Sequence, residues 1–139
     1  MSGNTLERGS ELDFKARLLI VDDDAAIGRA ISRIVRAKHD VVVLTSGREA
    51  IERIAAGERY HAILCDLMMP DLTGMDVYER ISAIDPPSAR RMIFLSGGAF
   101  TRRAEEFFLR IDNQRVDKPF DRATLLAALA AVLDRELMP

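Results

Sequence analysis

Asp66 ends the apolar run Ala62-Ile63-Leu64-Cys65, and Pro70 and Gly74 follow it, the two residue types that most firmly terminate regular structure. A carboxylate so placed sits where a buried strand surfaces. It is a candidate nucleophile for a phosphoryl group, although an isolated aspartate there equally suits the cap of the next helix. Three further run ends bear on that choice. Leu18-Leu19-Ile20-Val21 stops at three consecutive acids, Asp22, Asp23 and Asp24. Met92-Ile93-Phe94-Leu95 stops at Ser96-Gly97-Gly98, where a hydroxyl and a backbone N–H can donate to phosphoryl oxygens. A short strand around Arg115-Val116-Asp117 leads to Lys118-Pro119-Phe120, and Lys118 is, with Lys15 and Lys38, one of the few lysines in an arginine-rich chain. A flexible ammonium suits a point contact to phosphate. Pro119 behind it can take the cis form that tight turns use to aim a preceding side chain.

Brought together, Asp22, Asp23 and Asp66 repel one another: two carboxylates about 4 Å apart cost roughly 1 kcal/mol in bulk water and about 4 kcal/mol at an effective dielectric near 20. Such a cluster calls for a cation. Its hard oxygens suit Mg²⁺, which takes one or two carboxylates together with waters, carbonyls and phosphate oxygens. A carboxylate attacking an already anionic phosphorus needs that charge neutralised along the reaction path. Taken singly, each part is ordinary: Ser96-Gly97-Gly98 makes a turn, the acids after Val21 can cap a helix, and Lys-Pro-Phe is a common loop tripeptide. Four separate run ends carrying the parts of one phosphoryl site argue against coincidence.

The elements between these ends must bring them together. After Asp24, which can cap it, a helix is predicted from Ile27, Ala30, Ile31, Ile34 and Val35 at helical spacing. Val41 to Leu44 is a β-branched run too short for a helix, and Ser46 with Glu49 opens the next helix as a capping box, its face Ala50, Ile51, Ile54 and Ala55 and its end Gly57. Val77, Tyr78, Ile81 and Ile84 mark a third helix stopped by Pro86-Pro87. Ala104, Phe107, Phe108 and Ile111 mark a fourth. A fifth, capped by Asp121, presents Leu125, Leu126, Leu129, Val132 and Leu133. Five largely apolar strands alternating with five helices imply an α/β, doubly wound, five-stranded parallel sheet of flavodoxin-like order 2-1-3-4-5. In that order strands 1 and 3 are neighbours at the topological switch point, so Asp22, Asp23 and Asp66 meet in one crevice.

The 139 residues suit one domain, and 48% hydrophobic with 30% charged residues is the composition of a soluble globular chain. Residues 1–15, polar and with Gly3, Asn4, Gly9 and Ser10, are expected to form a flexible tail or linker, and residues 16–139 the domain. A net charge of −2 with scattered arginines gives no footprint for nucleic acid. Without a signal region or about 18 consecutive apolar residues, the chain is expected to be cytoplasmic and not to enter a membrane. Cys65 is the lone cysteine and reads as a buried hydrophobe; His39 and His61 flank strands without ligand-spaced partners and read as strand-end residues.

With LLIVDDD, CDLMMPDLTG, FLSGG and DKPF in order and spacing, residues 16 to 137 resemble the receiver domain of two-component response regulators. The resemblance implies that Asp66 is the phosphoacceptor, that Asp22 and Asp23 are metal-site acids, and that the backbone carbonyl of Met68 is a further magnesium ligand. It implies that Ser96 is the switch hydroxyl and Lys118 the phosphate-contacting lysine. The phosphodonor would be a histidine kinase or a histidine phosphotransfer protein. A chain of this family is no enzyme in the ordinary sense and catalyses only its own aspartyl phosphorylation and dephosphorylation. The phrases Thr73-Gly74-Met75-Asp76 and Leu95 through Thr101 look similar to receivers at the C-terminus of hybrid histidine kinases, and a stand-alone receiver fits equally. Two departures stand out. Arg115 occupies the position, three before the lysine, where the family usually carries Tyr or Phe. Met68 and Gly98 offer no side chain to orient an attacking water, which predicts a phosphoaspartate of moderate to long life. Output is expected through a downstream protein partner on the face of the fourth helix, fifth strand and fifth helix.

Two other classes compete. A pseudo-receiver, a phosphorylation-independent protein-binding module, predicts a missing acceptor, acid or lysine, and all are present. A flavodoxin-like FMN binder would want a Ser/Thr/Gly-rich phosphate loop after strand 1, where three acids stand; an aspartyl phosphatase would want an acid two residues after Asp66, where Met68 stands.

Overall fold

The apolar runs form strands buried on both faces, alternate residues going to opposite sides. The computed structural model describes residues 14–98 and 101–137. Its elements are β1 (Arg17–Val21), α1 (Ala25–Val35), β2 (Asp40–Leu44), α2 (Gly47–Ala55), β3 (Ala62–Asp66), α3 (Gly74–Ile84), α4 (Pro86–Arg90), β4 (Met92–Ser96), α5 (Arg102–Arg110), β5 (Arg115–Asp117) and α6 (Arg122–Leu137). The five strands pair in parallel in the order β2-β1-β3-β4-β5, the predicted doubly wound topology. The expected tail, residues 1–15, lies outside the described residues up to residue 13.

The alternation builds two cores. Leu19, Val21, Ile63, Cys65 and Phe94 face α2, α3 and α5, with Phe107 of α5 edge-on to both Phe94 and Tyr78 at 5.3 Å. Leu18, Ile20, Leu64, Ile93, Leu95 and Val116 face Ile31 and Val35 of α1 and the Leu125 to Leu133 face of α6. The central strands β1, β3 and β4 are thus held from both sides, while edge strand β2 leaves Val43 exposed.

Helix starts follow local chemistry. The Asp24 carboxylate accepts the Ala26 N–H at 2.9 Å, and Asp121 accepts the Thr124 N–H at 2.7 Å. Ser46 makes only half of its expected box: its hydroxyl accepts the Glu49 N–H at 3.3 Å, while the Glu49 carboxylate turns to Arg53 at 3.7 Å. The complete box is at α3, where Thr73 and Asp76 each accept from the other's backbone N–H. The structure also has a sixth helix where five were expected. Pro86 and Pro87 do not simply stop α3; Asp85 ends it and caps α4, accepting from the Ser88 N–H at 3.1 Å and hydroxyl at 2.6 Å. Proline fits a first helical turn because its missing N–H has no partner to lose there.

Candidate functional site

Register alone brings the acids together. Val21 lies beside Cys65 in the β1–β3 pair, so Asp22 and Asp66 emerge side by side at the carboxyl edge of the sheet. Carboxylate oxygens of Asp22, Asp23 and Asp66 all lie within 4.8 Å of one another. Ser96 stands beside Asp117 in the β4–β5 pair, one residue before Lys118. The Lys118 N–H donates to the Ser96 carbonyl at 2.6 Å, and its peptide bond to Pro119 is cis. The five residues singled out in the sequence therefore converge on one cleft.

Lys118 is the counter-charge in this cluster. Its Nζ donates to Asp22 Oδ2 at 3.1 Å and to Asp66 Oδ1 at 3.0 Å, while Asp22 Oδ1 accepts the Asp24 N–H at 2.9 Å. Asp22 and Asp66 are buried and Asp23 is exposed. The Asp66 carboxyl is pushed up to about 6, by burial first and also by Asp22 and Asp23, while the Lys118 ammonium opposes them. Against the cost of its own burial, Lys118 is held above its ordinary value by hydrogen bonds to Asp66 and Asp22. The Ser96 hydroxyl, buried, makes no hydrogen bond to any described residue.

Around these groups lies a cleft of about 170 Å³, walled by Leu67 and Met68 after β3, Gly97 after β4, and Ala104 of α5. Met68 thus lines the cleft. The loop after β3 is drawn tightly against Asp66. The Gly74 N–H donates to the Leu67 carbonyl at 2.8 Å, and a Cβ on Gly74 would lie 2.6 Å from the Asp66 carbonyl oxygen. Only glycine allows that approach.

Other singled-out residues lie elsewhere. Cys65 is buried beside Asp66, and burial holds its thiol far above its ordinary value, leaving it unreactive. His39 and His61 are at the opposite edge, where their Nδ1 atoms accept the N–H groups of Ala16 and Arg17 at 3.0 and 2.9 Å. The Arg115 guanidinium lies 4.8 Å over the Phe108 ring, with Asp117 at 3.9 Å. Sequence reasoning missed the Thr73–Asp76 box, although its T-x-x-D spacing was a readable signal. It also missed Arg103, whose Nη2 donates to Asp76 Oδ1 at 2.8 Å and which carries no local signal.

Comparison with known proteins agrees with this geometry. Residues 18–130 match the family model described as the response regulator receiver domain. The chain is 31% identical over 124 residues to the 3',5'-cyclic-nucleotide phosphodiesterase regA of Dictyostelium discoideum, covering 86% of this chain and 15% of that protein. It is 29% identical over 125 residues to the transcriptional regulatory protein CpxR homolog of Haemophilus influenzae, covering 89% of this chain and 53% of that protein. The chain thus spans about half the length, or much less, of these relatives. Among solved structures, the receiver domain of the sensor histidine kinase PA1611 from Pseudomonas aeruginosa PAO1 has a magnesium ion coordinated in its active site cleft. It matches at 28% identity and a TM-score of 0.74, over 87% of this chain and 99% of that one.

Proposed function

The chain belongs to the response regulator receiver family, and from that premise we propose that Asp66 accepts a phosphoryl group from a phosphohistidine on a histidine kinase or histidine phosphotransfer protein. The observation that carries this reading is the cluster of three carboxylates, Asp22, Asp23 and Asp66, of which Asp22 and Asp66 share the Lys118 ammonium, beside the buried Ser96. An Asp66 carboxylate oxygen attacks phosphorus as the bond from phosphorus to the donor imidazole breaks. The imidazole nitrogen keeps the electron pair and takes a proton from solvent. Lys118, already 3.0 Å from Asp66, stays with one phosphoryl oxygen. Ser96 donates its hydroxyl to another, and the Gly97 N–H is available beside it.

The donor set fits Mg²⁺: hard oxygens, clustered and short of positive charge. Bound by Asp22, Asp23, Asp66 and the Met68 carbonyl, the ion would supply the charge neutralisation that transfer between two anions requires. The chain is then a catalyst of its own phosphorylation and dephosphorylation only. Met68 and Gly98 leave the attacking water unoriented, which favours a phosphoaspartate of moderate to long life.

Among the described residues no helix is long and apolar enough to cross a membrane, which suits a cytoplasmic signalling module. Output passes to a protein partner on the face of α5, β5 and α6, where Leu109 is 87% exposed and Arg115 covers Phe108. Intact mass after incubation with Mg²⁺ and a small acyl phosphate tests the reading. A single phosphoryl adduct that requires Mg²⁺ and is abolished in Asp66→Asn is expected. Failure of both an acyl phosphate and a phosphohistidine donor to give the adduct would leave a binding-only receiver.

A further inference from the structure

The two helices that begin beside the cleft, α3 and α5, are tied to each other outside the sheet. Asp76, in the first turn of α3, accepts through Oδ2 from the Thr73 N–H at 2.9 Å and hydroxyl at 3.0 Å, and through Oδ1 from Arg103 Nη2 at 2.8 Å. Glu79, one turn on, stands 3.9 Å from the same guanidinium. Arg103 is in the first turn of α5 and adjoins Ala104, the fully buried residue that walls the cleft. One turn further along α5, Phe107 packs edge-on to Tyr78 of α3. So α5 rests on α3 at two points, an apolar one and an ionic one, and the ionic one is beside the cleft. At its other end this chain of contacts reaches the nucleophile, because Gly74, between Thr73 and Asp76, is pressed against the Asp66 carbonyl.

We infer that Arg103 is a positioning residue. Its strap to Asp76 holds the first turn of α5, and with it the Ala104 wall, against the cleft, and so sets how long a phosphoryl group on Asp66 is shielded from water. The inference rests on the reading of Asp66 as phosphoacceptor. With the strap released, the first turn of α5 moves about the Phe107–Tyr78 contact, the wall draws back, and water gains a path to phosphorus. The side chains of Arg103 and Asp76 are 49% and 30% exposed. A pair of that exposure has little effect on global stability and is weakened by salt. The informative readouts are therefore local motion and phosphoryl lifetime, not the melting temperature.

The full chain is compared with Arg103→Ala and Arg103→Lys. Hydrogen exchange at the amides of Ala104 and Glu105, which bond Thr101 Oγ1 and the Thr101 carbonyl, reads the first turn without any phosphate. Exchange roughly two- to fivefold faster is expected in Arg103→Ala and restored in Arg103→Lys. Added salt should speed it in the unaltered chain and leave Arg103→Ala unchanged. Decay of the phosphoaspartate, followed by intact mass, should shift by the same factor. Unaltered exchange in Arg103→Ala overturns the strap; altered exchange with unaltered decay overturns its link to lifetime. No adduct on the unaltered chain overturns the phosphoacceptor reading and the lifetime claim together, and exchange still decides the strap.

Discussion

The two ends of this one sheet treat the carboxylate in opposite ways. At the amino end Glu58 Oε1 accepts from the Tyr60 hydroxyl at 2.6 Å, Arg17 at 3.2 Å and Arg53 at 3.3 Å. The Tyr60 hydrogen bond, more than the two guanidiniums, holds its carboxyl below the usual range. Asn113 Nδ2 bridges the carbonyls of Ala89 and Met92 at 2.9 Å each, and the two histidines take the first N–H groups of the β1 region. At the carboxyl end three acids cluster around one lysine that bonds only two of them, Asp22 and Asp66, and the buried Ser96 hydroxyl has no hydrogen bond to a described residue. The difference teaches where the molecule keeps its unmet chemistry. One edge pairs its carboxylate and anchors the strands; the other holds an excess of negative charge that a further cation would relieve.

The contrast breaks most visibly at Lys118. Lys118→Met leaves Asp22 and Asp66 buried without their cation, a change expected to cost about 3 to 5 kcal/mol in chelator. Melting with and without Mg²⁺ checks this, and the ion should raise the melting temperature more in the variant than in the unaltered chain. Equal melting temperatures in chelator would mean that the acids need no counter-charge and that the two ends do not differ. Next in size is a paired substitution. Asp22→Asn should raise the stability of the metal-free chain by about 1 kcal/mol, the low end of the repulsion it removes, and weaken Mg²⁺ binding. Glu58→Gln should lower the melting temperature, because its three donors lose a charged acceptor. Shifts of the same sign would erase the comparison.

The smallest effect is in pH, and it too has opposite signs at the two ends. Asp66 titrates at about 6 in the fold against 3.8 ordinarily, so it opposes folding above pH 6, and that penalty fades as the pH falls toward 3.8. Burial first, then neighbouring positive charge, lowers His39 and His61 from 6.5. The stability they contribute is complete above pH 6.5 and is lost as the pH falls through their folded values. His39→Asn with His61→Asn keeps an acceptor at each site and removes the proton. In chelator, the variant should gain stability relative to the unaltered chain as the pH drops from 7 to 5. Parallel curves would show that the histidines play no part in the acid response.

Much of the fold was legible because a parallel sheet buried on both faces leaves a plain record. Each run from Leu18, Ala62 and Met92 is apolar to its last residue and then turns polar at the edge where ligands gather. The site was legible for the same reason, since parallel register carries Asp22 to Asp66 and Ser96 to Lys118 whatever the intervening helices do. What escaped was non-local or double-edged. Pro86-Pro87 reads equally as a stop and as a first turn, and Asp85 decides between them only by capping α4. Glu58 shows no local pattern because its donors come from β1, α2 and the loop before β3. His39 and His61 lie 23 and 44 residues from the amides they serve. Arg103 meets Asp76 across 27 residues, a contact that no spacing rule announces.

Gly74 has a consequence for how this chain tolerates error. Every replacement a genetic lesion can make there adds a carbon where the Asp66 carbonyl stands 2.6 Å away, so the backbone bearing Asp66 must shift. A residue with no functional group of its own is thereby among the most exacting positions in the molecule. In a saturation library scored for phosphoryl loading, residue 74 would rank with the acids themselves, whereas exposed Leu109 would accept almost any substitution. Intolerance to substitution in this protein would map nearness to the Asp66 backbone as faithfully as it maps chemistry.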